Sequence, residues 1–363
     1  MNVAQLKSWL TAVASIFLFL SISHAQTPAG QNTYPSITQS NLAQLPEADT
    51  VIYLSPQRIF NEAAPRVIEP TELTKVRATF VDLKRSIGID PGSIEYLVFA
   101  VRFNKPGADL SFVTPDILTV ASGDFSSDSL ITTVGLYLQD KSRMEKYGSK
   151  TLTIVKIDAI AEEAVKNPML KSFAELGVVA LNSNTIAFGN VNYLKAAIDA
   201  ADGNGRLSAS TIASLLRNPN TLISAAGSPL TAFAKSFGML GTQAVARDPR
   251  CETKFGDFYA AVTMEGTNFS LRGAMNADNP DTAKIINGLL SGMFQQAINY
   301  VPEKEAQSVL KNIRILPKDN EVLFEADVPS STVATFIRNQ SKPKEIPAVS
   351  KPATKPKRRV RRK

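Results

Sequence analysis

The chain reads as an α+β protein of two similar halves, each a mainly antiparallel sheet packed against helices. Three observations predict this. Short β-rich runs alternate with longer segments whose apolar residues recur at three- and four-residue steps. Neighbouring strands are joined by short links, which favours antiparallel pairing over a doubly wound parallel sheet. The order strand–helix–strand–strand–helix–strand–helix occurs twice.

In the first half (residues 48–205), Thr50 to Leu54 (TVIYL) is a short buried strand. Residues 71–87 form a helix, with Leu73, Val76, Phe80, Leu83 and Ile87 on one face and Gly88 as its C-cap. Ile94 to Phe103 and Ile117 to Ser122 are strands. A helix starts near Ser126 and carries Leu130, Ile131, Val134 and Leu138 on one face. Lys150 to Ile157 is a strand after the Gly148-Ser149 turn, and residues 159–175 read as helical. Val178 to Leu181 and Thr185 to Phe188 form a hairpin around Asn182-Ser183-Asn184. A helix from Val191 to Ala201 ends at Asp202-Gly203-Asn204-Gly205.

The second half (206–340) repeats the plan. The strand at Thr221 to Ile223 answers Thr50 to Ile52, and each is followed by a Ser-Pro turn, Ser55-Pro56 and Ser228-Pro229. Phe258 to Met264 answers Ile94 to Phe103. Phe269 to Met275 and helix 281–298 answer Ile117 to Ser122 and its helix. Glu321 to Ala326 and the helix Ser330 to Asn339 answer Thr185 to Ala201. An insertion at 240–254 has no counterpart.

The stretches SNTIAFGNVNYLKAAIDAA, GSPLTAFAKSFG, KFGDFYAAVTM and LRGAMNADNPDTAKIINGLL together resemble an exported bacterial protein family of unknown function. The resemblance covers roughly 48–340 and implies export and a repeated α+β body. It implies no catalytic or binding residues.

The ends differ from the body. Lys7, the apolar run Trp9 to Ile22 and the Ser23-His24-Ala25 site have the layout of a secretory signal peptide (1–25) cleaved before Gln26. The one histidine and the one tryptophan, His24 and Trp9, fall inside it. After cleavage no His-based triad, metal site or general base remains. Residues 26–47 read as a disordered leader. Residues 341–363 read as a disordered Lys/Pro tail, because Pro343, Pro347, Pro352 and Pro356 forbid a continuous helix.

An apolar content of 44% and a charged content of 20% fit a globular protein with a real core. The net charge of +7 conceals two regions of opposite sign. From Lys342 to the C-terminus ten Lys/Arg face one acid, Glu345, so the tail carries +9 and the body from 26 to 341 carries −3. The single cysteine, Cys251, excludes an intramolecular disulfide. It follows Arg247 and Arg250 in a polar loop, with no partner base readable.

Candidate chemistry is sparse. Asp124 with Asp128, and Asp278 with Asp281, follow equivalent strands and could offer oxygens to a calcium ion. Neither has the full loop spacing, and helix capping is the stronger reading. Ser308 and Lys311 match Ser-x-x-Lys but fall off the apolar face of their helix, and no companion motif is present. No cofactor is expected. The tail, with Lys355, Lys357, Arg358, Arg359, Arg361, Arg362 and Lys363, is a polyanion-binding segment with strong salt dependence. It has no aromatic residue, so base stacking is not supported and nucleic acid is disfavoured. Export points to an anionic envelope component instead: lipid headgroup, polysaccharide or cell-wall polymer. The expected function is therefore a non-catalytic envelope binding or scaffold protein, periplasmic or extracellular. The alternative is a secreted hydrolase using tertiary carboxylates or a Ser/Lys pair.

Overall fold

The computed structural model describes residues 37–88, 90–103, 115–138, 141–156, 175–218, 220–228, 256–300 and 304–340. Helix α1 (Gln39–Leu42) and strand β1 (Thr50–Leu54) come first. Helix α2 (Pro56–Arg58), a π-turn (Ile59–Ala63) and α3 (Ala64–Val67) form one irregular helical run, followed by α4 (Pro70–Ile87). Then come β2 (Ile94–Phe103), β3 (Pro115–Gly123), α5 (Ser127–Leu138), β4 (Ser142–Tyr147) and β5 (Lys150–Lys156). They are followed by β6 (Glu175–Asn182), β7 (Thr185–Asn190), α6 (Val191–Ala201) and α7 (Ala209–Leu215). The last elements are β8 (Thr221–Gly227), β9 (Phe258–Glu265), β10 (Asn268–Asn276), α8 (Pro280–Tyr300), α9 (Lys304–Lys311), β11 (Arg314–Lys318), β12 (Glu321–Pro329) and α10 (Ser330–Gln340).

The twelve strands form one antiparallel sheet, in the order β11-β12-β10-β9-β8-β1-β2-β3-β7-β6-β5-β4. The expectation of a separate sheet in each half is thereby corrected. β1 pairs with β8, Thr50 opposite Gly227 and Leu54 opposite Ile223. Val51, Tyr53 and Leu54 of β1 and Leu222 and Ala226 of β8 are buried. Left unjoined, these strands would be two bare apolar edges. At the seam the Ser55 amide donates to the Leu222 carbonyl at 2.9 Å, and the Ser228 amide donates to the Asp49 carbonyl at 2.7 Å. Gly227 is required there. Its φ is +148°, and a Cβ would lie 2.1 Å from the Asp49 carbonyl oxygen.

One face of the sheet carries α6 and α7. Tyr193, Leu194, Ala197 and Ile198 of α6 and Ile212 and Leu215 of α7 pack on Val51, Tyr53, Val98, Val120, Ile154 and Val179. These strand residues alternate, as a half-covered sheet requires. On the opposite face Ile59 and Ala63 meet Phe99 and Leu222. Val67 meets Ala334 and Ile337 of α10, and Ala283 and Ile286 of α8 meet Met275 and Val322. Of Leu73, Val76, Phe80 and Leu83 in α4, only Leu73 is buried, while Phe80 stands edge-on to Phe60 at 4.7 Å.

Residues 37–47 differ from the leader expected at 26–47. Thr38 caps α1, accepting from the Asn41 amide, while the Asn41 side chain accepts from the Thr38 amide. Leu42 is 0% exposed and Leu45 is 3% exposed, both within the α6-face core. Beyond the expected boundary at 205/206, Leu207, Ile212 and Leu215 join that same core. β4, α7 and β11 were not read from the sequence. Glu175, read as the end of a helix, opens β6. Residues 1–36, most of the expected helix 159–175, the insertion 240–254 with Cys251, and the tail 341–363 lie outside the described residues.

Candidate functional site

Beyond β8 the α6 face is covered differently. Tyr259 of β9, Ser270 and Arg272 of β10, Glu325 and Asp327 of β12 and Arg314 of β11 share that face by strand alternation and register. Glu321, at the start of β12, stands with them. Here the covering residues are charged side chains. Arg272 grips Asp327 through both carboxylate oxygens, at 2.9 and 3.0 Å. Arg314 meets Glu325 at 3.1 Å, and Arg217 reaches Glu321 at 3.9 Å while its guanidinium lies 4.2 Å from the Tyr259 ring centre. Ser270, Ala261 and Ala274 are buried beneath this layer. The small side chains form the floor, and the long ones lie over it with their charged ends in solvent.

The Ser270 hydroxyl donates to Asp327 at 2.8 Å. That bond, together with the Arg272 guanidinium, holds the Asp327 carboxyl below the usual aspartate range. A carboxylate held in this way accepts hydrogen bonds and is a poor proton donor at neutral pH. Burial pushes the Tyr259 hydroxyl up. The arrangement is a layer of paired charges of both signs.

Two further polar clusters lie in the first half. Arg143 meets Glu145 at 2.7 Å and Glu175 at 2.9 Å, and Lys195 meets Glu145 at 2.6 Å. The Lys195 hydrogen bond, then that of Arg143, lowers the Glu145 carboxyl. The Tyr147 hydroxyl donates to Asp199 at 3.0 Å. Nearer the seam, Arg102 lies 4.4 Å from the Tyr193 ring centre and 3.0 Å from Asp116. Tyr193 donates to the Glu47 carbonyl at 2.9 Å, and burial pushes its hydroxyl well up. That cluster fastens the segment before β1 to α6.

The residue pairs singled out in the sequence are placed as follows. Asn279, between Asp278 and Asp281, accepts from the Thr282 amide at 2.9 Å at the start of α8. Asp281 pairs with Lys284. Ser126 accepts from the Ser129 amide at 3.3 Å at the start of α5, next to Asp128. Both stretches therefore cap helices. Ser308 and Lys311 are exposed on α9. The basic tail residues 355, 357–359 and 361–363 lie outside the described residues. Among the described residues no group of three or more His, Cys, Asp or Glu could hold a metal ion, and no helix is long and apolar enough to cross a membrane. The charged layer on β9–β12 was missed in the sequence. Its signal was the spacing of two between Ser270 and Arg272 and between Glu325 and Asp327.

No protein-family model and no curated protein matches the chain. Among solved structures it is similar to crystal form III of TP0453, at 10% identity over 82% of this chain and 97% of that one, with a TM-score of 0.41. It is also similar to crystal form I of TP0453, at 9% identity over 85% and 99%, with a TM-score of 0.40. At these scores the likeness carries no argument about fold or function.

Proposed function

We propose that the chain is an exported, non-catalytic binding or scaffold protein of the cell envelope, held to an anionic envelope component by its basic tail. The open charged face of β9–β12 carries this reading. A recognition module offers a broad surface of satisfied polar groups, and here Glu321, Glu325 and Asp327 each have an arginine partner. The tail adds ten cations against one acid on an otherwise acidic body. It follows α10 in the sequence. The apolar run and small-residue site at the N-terminus support export. Membership of an exported bacterial family of unknown function is part of the same proposal.

The reading includes an internal duplication. Outward from the seam the strand order is β1-β2-β3-β7-β6 on one side and β8-β9-β10-β12-β11 on the other, and β5 and β4 extend the first. The Ser55–Leu222 and Ser228–Asp49 hydrogen bonds interchange under one common residue offset. A second equivalent pair links Gly123 to the Asn184 carbonyl and Ala277 to the Asn320 carbonyl, at 3.2 and 2.7 Å. α6 and α10 break the symmetry, since they pack on opposite faces.

The test compares the mature chain with one ending at Ser341. Thermal unfolding is expected to be nearly unchanged. Retention on an anionic polymer matrix is expected to fall at least tenfold at low salt, and the difference to vanish at high salt. Equal retention by the two forms would remove the tail from the proposal.

A further inference from the structure

The chain contains two Asn-Gly steps, Asn204-Gly205 and Asn287-Gly288, and the fold treats them oppositely. Asparagine is a labile residue, lost when the next residue's amide nitrogen attacks its side-chain carbonyl carbon. A following glycine has no side chain to obstruct that attack. Asn287 lies inside α8, where the Gly288 amide is committed to the carbonyl four residues back. Asn204 lies beyond the end of α6. Both Asn204 and Gly205 are exposed, and Gly205 has a φ of +63°. The turn also holds the start of the described chain in place. The Gly205 carbonyl accepts from the Glu47 amide at 2.8 Å, and the Leu207 amide donates to the Leu45 carbonyl at 2.8 Å. Pro46 and Arg206 form an antiparallel bridge between them. This short pairing of 205–207 with 45–47 seats Leu42 and Leu45 beside Leu207 in the main core.

We propose that Asn204 is a site of spontaneous deamidation, and that the isoaspartate formed there loosens residues 37–47 from the core. The Gly205 amide nitrogen bonds to Asn204 Cγ and closes a cyclic imide. The side-chain nitrogen leaves as ammonia, taking the proton that the Gly205 amide gives up. Water then opens the ring at one of its two carbonyl carbons. Opening at Cγ restores the main chain and leaves an aspartate. Opening at the backbone carbonyl carbon leaves an isoaspartate, whose main chain runs through Cβ and Cγ and is longer by one carbon. Either product places a carboxylate at the C-terminal end of α6, where negative charge is disfavoured. Arg206, which donates to the Ala200 carbonyl at 2.9 Å, offsets that charge in part. The longer chain of the isoaspartate has no such compensation. It shifts 205–207 against α6, and the 2.8 Å bonds to Glu47 and Leu45 cannot both be kept.

The test ages the mature chain and its Asn204→Gln variant in warm, mildly alkaline buffer and maps their peptides by mass spectrometry. The parent is expected to gain the amide-to-acid mass difference at 204, with isoaspartate shown by methyl transfer from an isoaspartyl methyltransferase. Conversion at 287 is expected to be at least about tenfold slower, because α8 must open locally before the Gly288 amide can react. Amide hydrogen exchange across 42–47 is then read on the isoaspartate fraction. It is expected to be at least about tenfold faster than in the fresh parent, and unchanged in aged Asn204→Gln. Fresh Asn204→Asp carries the charge without the extra carbon and is expected to exchange like the fresh parent. Equal conversion at 204 and 287, or conversion at neither, overturns the proposal. So does unchanged exchange in the isoaspartate fraction, or equally fast exchange in fresh Asn204→Asp.

Discussion

Ser270 shows how one buried hydroxyl sets the chemistry of an exposed charge. It is 0% exposed and donates to Asp327, which also lies in the fork of Arg272. The folded-state pKa of Asp327 is lowered, so its contribution to stability is present above the ordinary aspartate value and is lost as pH falls through the folded value. Ser270→Ala is expected to raise the Asp327 pKa toward the ordinary value of about 3.9, seen by carboxyl-carbon NMR titration. The stability difference from the parent is expected to be about 1 kcal/mol at neutral pH and to shrink in acid. A difference that grows as pH falls would contradict this sign. The residue types on this face were legible in the sequence. Their partnership was not, because Arg272 faces Asp327 only through the β10–β12 register, which joins positions more than fifty residues apart.

At the scale of elements, the long periodic segments were read well and the short or charged ones were not. Helices α5, α6 and α8 carry apolar residues at helical spacing, and each forms near its expected bounds. β4 (SRMEKY) and β11 (RILPK) lie at the edges, where little must be buried, so the alternation that marks a strand is weak in them. α1 is a single turn and too short for any period. Its buried residues are nonetheless part of the main core. Leu42→Ala is expected to cost about 2–5 kcal/mol in a denaturant titration. A loss under about 0.5 kcal/mol, the usual range for surface sites, would mean that residues 37–47 are not an integral part of the fold. α4 gives the opposite lesson. Its apolar stripe is clear in sequence, yet Val76, Phe80 and Leu83 remain only partly buried.

Across the whole molecule the deciding contact is β1 with β8, and local patterning does not reveal which strands meet at such separation. With the seam buried, the sheet is expected to unfold as one unit. Gly227→Ala places a Cβ against the Asp49 carbonyl at a φ that side chains rarely adopt. It is expected to cost about 2 kcal/mol or more. Amide hydrogen exchange is expected to lose protection in β5 and β12 alike. Loss confined to one side of the seam would show two independently unfolding units.

The same seam governs the order in which the chain can fold. β1, β2 and β3 follow one another within residues 50–123 and can assemble early, whereas β8 follows β1 by some 170 residues. Contacts of such separation form late, because a long loop must close before they gain anything. Until β8 arrives, β1 is the raw end of a half-built sheet, with Val51, Tyr53 and Leu54 beside unpaired backbone. An emerging chain in that state is a template for strands of its neighbours. The interval between the assembly of β1 with β2 and the docking of β8 is therefore the stage at which the folding chain is most open to pairing with its neighbours.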